Sequence, residues 1–145
     1  MGMPKHPLTS VSQVSILLHN LNKEAERTTG LSIVQWSILK HVLEMPGTSA
    51  QELSEAAGLH PSTLSQSLKL LIRKEFILVI EDPRDSRKKI ISLARNGKSM
   101  LDQAQKPMDE IASKLAPVEK ELYALEECLS SLRYQPEEDM EGMSN

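Results

Sequence analysis

The sequence has one cysteine, Cys128, in 145 residues, so no disulfide can close within the chain. That agrees with a reducing, cytoplasmic setting. Aromatic side chains make up only 3%, so any core must be aliphatic. No apolar run approaches the ~20 residues of a membrane helix, and the opening residues lack the apolar centre of a signal peptide. No segment repeats with a solenoid period. The six glycines are scattered, which excludes a Gly-rich phosphate loop. The four histidines, His6, His19, His41 and His60, show no metal-ligand spacing with Cys128 or with a carboxylate cluster. Cys128 sits beside Glu127, unlike the electropositive surroundings of reactive cysteines. No catalytic constellation appears, so an enzyme is disfavoured and no metal or cofactor is implied.

A hydrophobic fraction of 39% supports one domain, or one domain with a helical extension. Net charge is −3, which argues weakly against a nucleic-acid partner if read globally, yet the charge is unevenly spread. Positions 60–98 hold nine basic residues against four acids, whereas positions 119–145 hold two against eight. A basic patch and an acidic end separated along the chain point to a local polyanion surface.

The basic part contains the most ordered pattern, from Ser49 to Leu93. Ser49 and Glu52 fit a capping box for a first helix, with Leu53, Ala56 and Ala57 on its apolar side. Gly58 supplies a residue that tolerates positive φ, and Pro61 opens a second helix. Leu64, Leu68, Leu71 and Ile72 recur at helical spacing and are expected in the core. Ser62, Thr63, Ser65, Gln66, Lys69 and Arg73 take the other faces. Short hydrogen-bonding groups of this kind read base edges, although a merely solvated face has the same look. Phe76–Ile80 is rich in β-branched and apolar residues, Asp82-Pro83-Arg84-Asp85 is turn chemistry, and Lys89–Leu93 returns as a second strand. Arg84, Arg87, Lys88 and Lys89 crowd the tip, where they can reach a phosphate or a minor groove. One of the two arginines can instead pair with Asp82 or Asp85 and orient the hairpin. The order is a helix-turn-helix followed by a β-hairpin wing.

The run Asp82-Pro83-Arg84-Asp85-Ser86-Arg87, with Ile90-Ile91-Ser92-Leu93 and Gly97 after it, resembles the wing signature of MarR-family transcriptional regulators. The resemblance covers nearly the whole chain in element order. It implies a homodimer that binds a pseudo-palindromic operator on double-stranded DNA, often released by a small ligand or oxidant. Four positions depart from the pattern: Glu75 where glycine is common, Val79 where a basic residue is frequent, His60 in place of a serine, and Ala94 in place of a threonine. The loss at Val79 puts one backbone contact in doubt. The others bear on caps and turns, typically ~1 kcal/mol effects.

The flanking segments are expected to be helical. Leu8–Arg27 carries Val11, Val14 and Leu18 on an apolar face wider than one domain needs. Ser32 and Gln35 form a capping box for a helix through about Leu43. Ala94–Leu115 predicts a long helix with a kink at Pro107. Beyond Pro117, the residues Val118, Leu122, Leu125, Leu129 and Leu132 step as an a/d seam through about Tyr134. Together with Leu115, these seams suit a dimer interface, the alternative being that the two end helices pair within one chain. Trp36, Lys40, His41, His19, Asn20 and Met100 are candidates to line a pocket for a small aromatic acid, although a tryptophan at this spacing equally suits a core.

The expected architecture is therefore mainly α with a small β-hairpin wing. A winged helix-turn-helix domain spans 31–95, terminal dimerisation helices span 8–28 and 96–134, and an acidic, disordered tail spans 135–145. The expected function is a DNA-binding regulator, a repressor, with no membrane partner. The alternative is a winged-helix protein that lacks operator binding and acts through protein contacts.

Overall fold

The computed structural model describes residues 4–135. Six α-helices and one hairpin follow in the order α1 (Pro7–Thr29), α2 (Ile33–Glu44), α3 (Ala50–Ala57), α4 (Pro61–Arg73), β1 (Ile77–Asp82), β2 (Asp85–Leu93), α5 (Arg95–Ser113) and α6 (Glu119–Cys128). Short 3-10 turns flank α6 at Ala116–Val118 and Ser130–Leu132. The mainly helical fold with one antiparallel hairpin is the one expected.

Local chemistry accounts for the boundaries. Gly30 ends α1 at φ 83°. Ser32 and Gln35 close the capping box of α2, each side chain bonded to the other's backbone N–H. Asn22 of α1 accepts a hydrogen bond from the Ile33 N–H at 2.8 Å, satisfying another amide at the start of α2. Ser49 caps α3, and Gly58 turns the chain at φ 68° between α3 and α4. Ala94 offers no side-chain cap to α5, as its departure from threonine predicts. Pro107 lies inside α5, where its ring removes one backbone donor.

One aliphatic core joins the winged part to α5. It contains Leu31, Ile38, Leu39, Leu53, Leu64, Leu71, Ile77 and Ile91, with Leu101, Ala104, Met108 and Ile111 from α5. The single buried residue of α1 is Ala25. Two sequence expectations change here. Ile72 is 43% exposed rather than in the core, because the one-residue step from Leu71 rotates it about 100° around the helix. Ala56 is exposed, and Ser54 is buried in its place.

Two close approaches need particular backbones. A Cβ on Gly97 would collide with the Phe76 carbonyl oxygen and lie 2.9 Å from Leu93 Cδ1. That position is therefore restricted to glycine, which lets α5 lie against the start of the wing. Glu75 adopts φ 61°, in the left-handed region that glycine occupies at no steric cost.

The last helix is shorter than expected. Its α-helical part stops at Cys128, Leu129 is the junction residue and Leu132 falls in a tighter 3-10 turn, so the a/d spacing is not carried through one regular helix. Of the acidic tail, only Gln135 is among the described residues.

Candidate nucleic-acid interface

The second helix of the turn, α4, is held by its apolar side and presents its polar side outward. Leu64, Leu68 and Leu71 are buried, while Ser62, Thr63, Ser65, Gln66, Lys69 and Arg73 are exposed. Ser62, Gln66, Lys69 and Arg73 follow one another at steps of four, three and four, so they share one face. Among the described residues, the side chains of Thr63, Ser65 and Gln66 make no hydrogen bond, which leaves their donors and acceptors available. Pro61 and His60 start the helix, with His60 Nδ1 accepting the Ser62 N–H at 3.2 Å. This imidazole replaces the serine cap of the family pattern. Lys74, just past the helix, donates to the Gly30 carbonyl at 3.2 Å and ties α4 to the end of α1.

The wing follows directly. Ile77 pairs with Leu93, Val79 with Ile91 and Glu81 with Lys89, and the register then breaks so that Asp82 faces Asp85. Ser86, Arg87 and Lys88 are thereby pushed out of the ladder, and the exposed basic tip of Arg84, Arg87, Lys88 and Lys89 results. Asp82 accepts the Arg84 N–H at 2.9 Å. Asp85 accepts from the Arg87 N–H and Nε, both at 3.1 Å. The Arg87 hydrogen bonds, side chain first and backbone second, with a smaller attraction from Lys88, hold the Asp85 carboxyl below its usual value. Of the two arginines, Arg87 is the one that orients the hairpin, and the Arg84 guanidinium is left to solvent.

Two features of this surface have no clear sequence signal. Thr48 is buried, and its carbonyl accepts the Ile91 N–H at 2.8 Å, adding a one-residue third edge to the wing. An apolar groove of about 620 Å³ runs between α4 and the wing and is bordered by Ile72, Val79 and Lys89. Ile72 and Val79, read separately as a core residue and a lost basic contact, meet here.

The proposed pocket residues are placed unevenly. His19 and Asn20 are exposed on α1, while Trp36, Lys40, His41 and Met100 are half-buried. The Lys40 ammonium lies 5.9 Å from the Trp36 ring centroid. The Trp36 indole N–H is buried without an acceptor among the described residues. Trp36 and Met100 both pack against the core. Among the described residues, no three His, Cys, Asp or Glu side chains are grouped as metal ligands, and no helix is long and apolar enough to cross a membrane. Cys128 is exposed.

The remaining candidate surface lies on the terminal helices. Val11, Val14 and Leu18 of α1 are exposed, as are Val118, Leu122, Leu125, Leu129 and Leu132 in and around α6. Leu115 is half-buried.

Comparison with known proteins follows the same outline. The MarR family profile matches residues 29–88, from the end of α1 to the wing tip. An uncharacterized HTH-type transcriptional regulator of Bacillus subtilis, YxaD, is 27% identical over 107 residues, covering 71% of this chain and 75% of its own. A MepR-like protein crystallised with pseudoligands superposes with a TM-score of 0.77 at 23% identity, covering 87% of this chain and 90% of that one. The Staphylococcus aureus MepR–DNA complex superposes with a TM-score of 0.69 at 20% identity, covering 84% and 94%. The wing signature, the fold and these likenesses agree: residues 29–88 match the MarR family, and the chain has the fold of the MepR-like and MepR proteins.

Proposed function

We propose that the chain binds double-stranded DNA as a homodimer on a pseudo-palindromic operator and acts as a repressor in the cytoplasm. The observation that carries this reading is the exposed, uncommitted polar face of α4 beside the basic wing tip. In this reading α4 enters the major groove. Gln66 is suited to bidentate pairing with adenine, and Arg84 and Lys88 reach a phosphate or the adjacent minor groove. Positions 31–95 form the DNA-binding unit. Positions 8–28 and 96–134 join two copies, which supplies the spacing of ~34–36 Å that two recognition helices need on one face of DNA. The apolar side chains exposed on α1 and α6 support that assignment.

A small aromatic acid is the effector we infer. Lys40 supplies a cation, Trp36 an aromatic wall and an unpartnered N–H, and Met100 an apolar side where α2 and α5 meet. His19, Asn20 and His41 complete the candidate set. A ligand there changes DNA affinity only by preferring one wing spacing over another. The MepR structure with DNA and the MepR-like structure with pseudoligands are in keeping with both binding roles. Neither role needs a cofactor or an enzymatic step.

Titrating the protein with its own promoter region at several salt concentrations tests the reading. Tight binding whose logarithm falls linearly with the logarithm of salt concentration is expected. Absence of promoter binding at low salt favours the second reading, a family member acting through protein contacts. The observation on that side is the lack of any basic residue in α4 before Lys69, with Val79 also apolar.

A further inference from the structure

After α6 the chain returns to the helix-turn-helix. The 3-10 turn Ser130–Leu132 redirects it, the Arg133 N–H donates to the Ser130 carbonyl at 3.1 Å, and the Arg133 backbone is then extended at φ −66° and ψ 142°. The Arg133 side chain lies over the turn between α3 and α4, so close that a Cβ on Gly58 would sit 2.8 Å from its Cγ. Its guanidinium donates to Glu126 at 3.0 Å, so its charge is matched from α6. Tyr134 meets the His60 ring edge-on, at 5.1 Å between centroids and an interplanar angle of 71°. His60 caps α4, and its Nδ1 lies 2.8 Å from the Ser62 hydroxyl. The returning segment is therefore fastened to the first turn of the recognition helix.

Tyr134 also borders the groove between α4 and the wing, together with Pro61, Ser65 and Lys69 of α4 and Lys89 of β2. Pro61, Ser65 and Lys69 are spaced by four and share one side of the helix. With α4 in the major groove of DNA and the wing at the minor groove beside it, the phosphate strand that separates the two grooves has to pass between helix and wing. Contacts to that strand set the register of the whole protein on the duplex. The groove is that passage, and the half-buried Tyr134 stands at its end nearest the start of α4. Recognition helices contact bases mainly through their N-terminal residues, so the same ring stands where sequence is read.

We propose that Arg133 and Tyr134 form an autoinhibitory strap. Closed on Gly58 and His60, it holds the chain in a state of low DNA affinity, and it has to leave α4 before a duplex can seat. This inference rests on the DNA-binding reading above. A protein whose binding-competent form is a fraction of the total binds more weakly by that fraction. Breaking the His60–Tyr134 contact should therefore raise affinity. A contact that only props the cap of α4 predicts the opposite, because its loss would loosen the recognition helix.

The test uses the full chain and a duplex of its own promoter region. Nuclear Overhauser effects between the His60 and Tyr134 rings are expected in the free protein and should disappear when the duplex is added. Tyr134→Ala should tighten binding about fivefold, with an unchanged salt slope, since no charge is removed. His60→Ser keeps a side-chain cap on α4 but loses the ring contact, and should give a similar gain. The two substitutions break one contact, so the double variant should gain no more than either alone. Ring contacts that are missing in the free protein or persist in the complex overturn the strap. So does binding by Tyr134→Ala that is unchanged or weaker while the parent binds. If the parent and both variants all fail to bind the duplex at low salt, the DNA-binding reading fails and the strap's inhibitory role falls with it.

Discussion

In α4, Leu64, Leu68 and Leu71 are no more than 8% exposed, whereas in the first half of α1, Val11, Val14 and Leu18 are 45–58% exposed. Both helices repeat aliphatic residues at three and four. The difference is what lies opposite. Around α4 the hairpin, α2, α3 and α5 close a core, while α1 meets α5 and α2 only towards its second half, near Ala25. The contrast recurs between α5, with five buried residues, and α6, with none. Helical periodicity therefore signals an interface without saying whether the partner is the same chain, and the exposed stripes on α1 and α6 are where the proposed second copy would pack.

The largest effect is expected where that contrast is sharpest. Leu125→Glu places a charge on the exposed stripe of α6, with no partner to offset its desolvation in an interface. Light scattering should show loss of the dimer, and promoter binding should be lost with it. Trp36 fluorescence should remain native, since the winged core is untouched. A variant that stays dimeric would remove α6 from the interface.

Next comes Gly97→Ala, which attacks the filled region. The added methyl meets the Phe76 carbonyl and Leu93, so a destabilisation of roughly 2–3 kcal/mol is expected. Urea unfolding measures it, and a change below about 0.5 kcal/mol would mean that α5 shifts away easily.

Within the wing, Arg84→Ala and Arg87→Ala should differ. Loss of Arg84 removes one charge and should flatten the salt dependence of DNA binding by about one unit. Loss of Arg87 also releases Asp85, so the Arg87→Ala hairpin should in addition lose order in amide exchange. Equal exchange in the two variants would show that the Asp85 pairing does not shape the tip.

Glu75→Gly should stabilise the fold slightly, by about 0.5 kcal/mol. The relief of a left-handed non-glycine residue is partly offset by the greater freedom of glycine in the unfolded chain. Thermal unfolding tests the sign.

The smallest effect follows from Asp85. Its carboxyl lies below the ordinary value of 3.8, so the folded state favours the ionised form. The associated stability is present above that value and is lost as pH falls through the folded one. Wing amides followed by NMR should stay ordered at pH 5 and loosen only in stronger acid, and Asp85→Asn should remove that acid dependence. Loosening that begins near pH 6 would point to another group.

The elements that were legible in the sequence are those set by chemistry within a few residues. The Ser32–Gln35 box, Ser49, Gly58, Pro61 and the Asp82–Asp85 turn each act on their own neighbourhood, and each stands where expected. The wing was readable because a turn sequence, two short strands and Gly97 occur together. Glu75 was legible only as a departure, and its φ gives that departure a physical meaning.

Other features depended on residues far apart in the chain. Ile72 and Val79 acquire a shared role only when α4 and β1 pack side by side, since neither segment alone defines a groove. The buried Thr48 bridge exists because Ile91 of the returning strand is brought to it. Gly97 was recognisable as part of a motif, but the carbonyl that forbids a side chain there belongs to Phe76, across the whole wing. The meeting of His60 with Tyr134 joins the start of the recognition helix to the far end of the helical extension. Caps, turns and periodicity follow from local backbone chemistry, which the sequence itself determines. Which faces are covered, and which segment crosses the recognition helix, depends on long-range packing and was decided only by the tertiary structure.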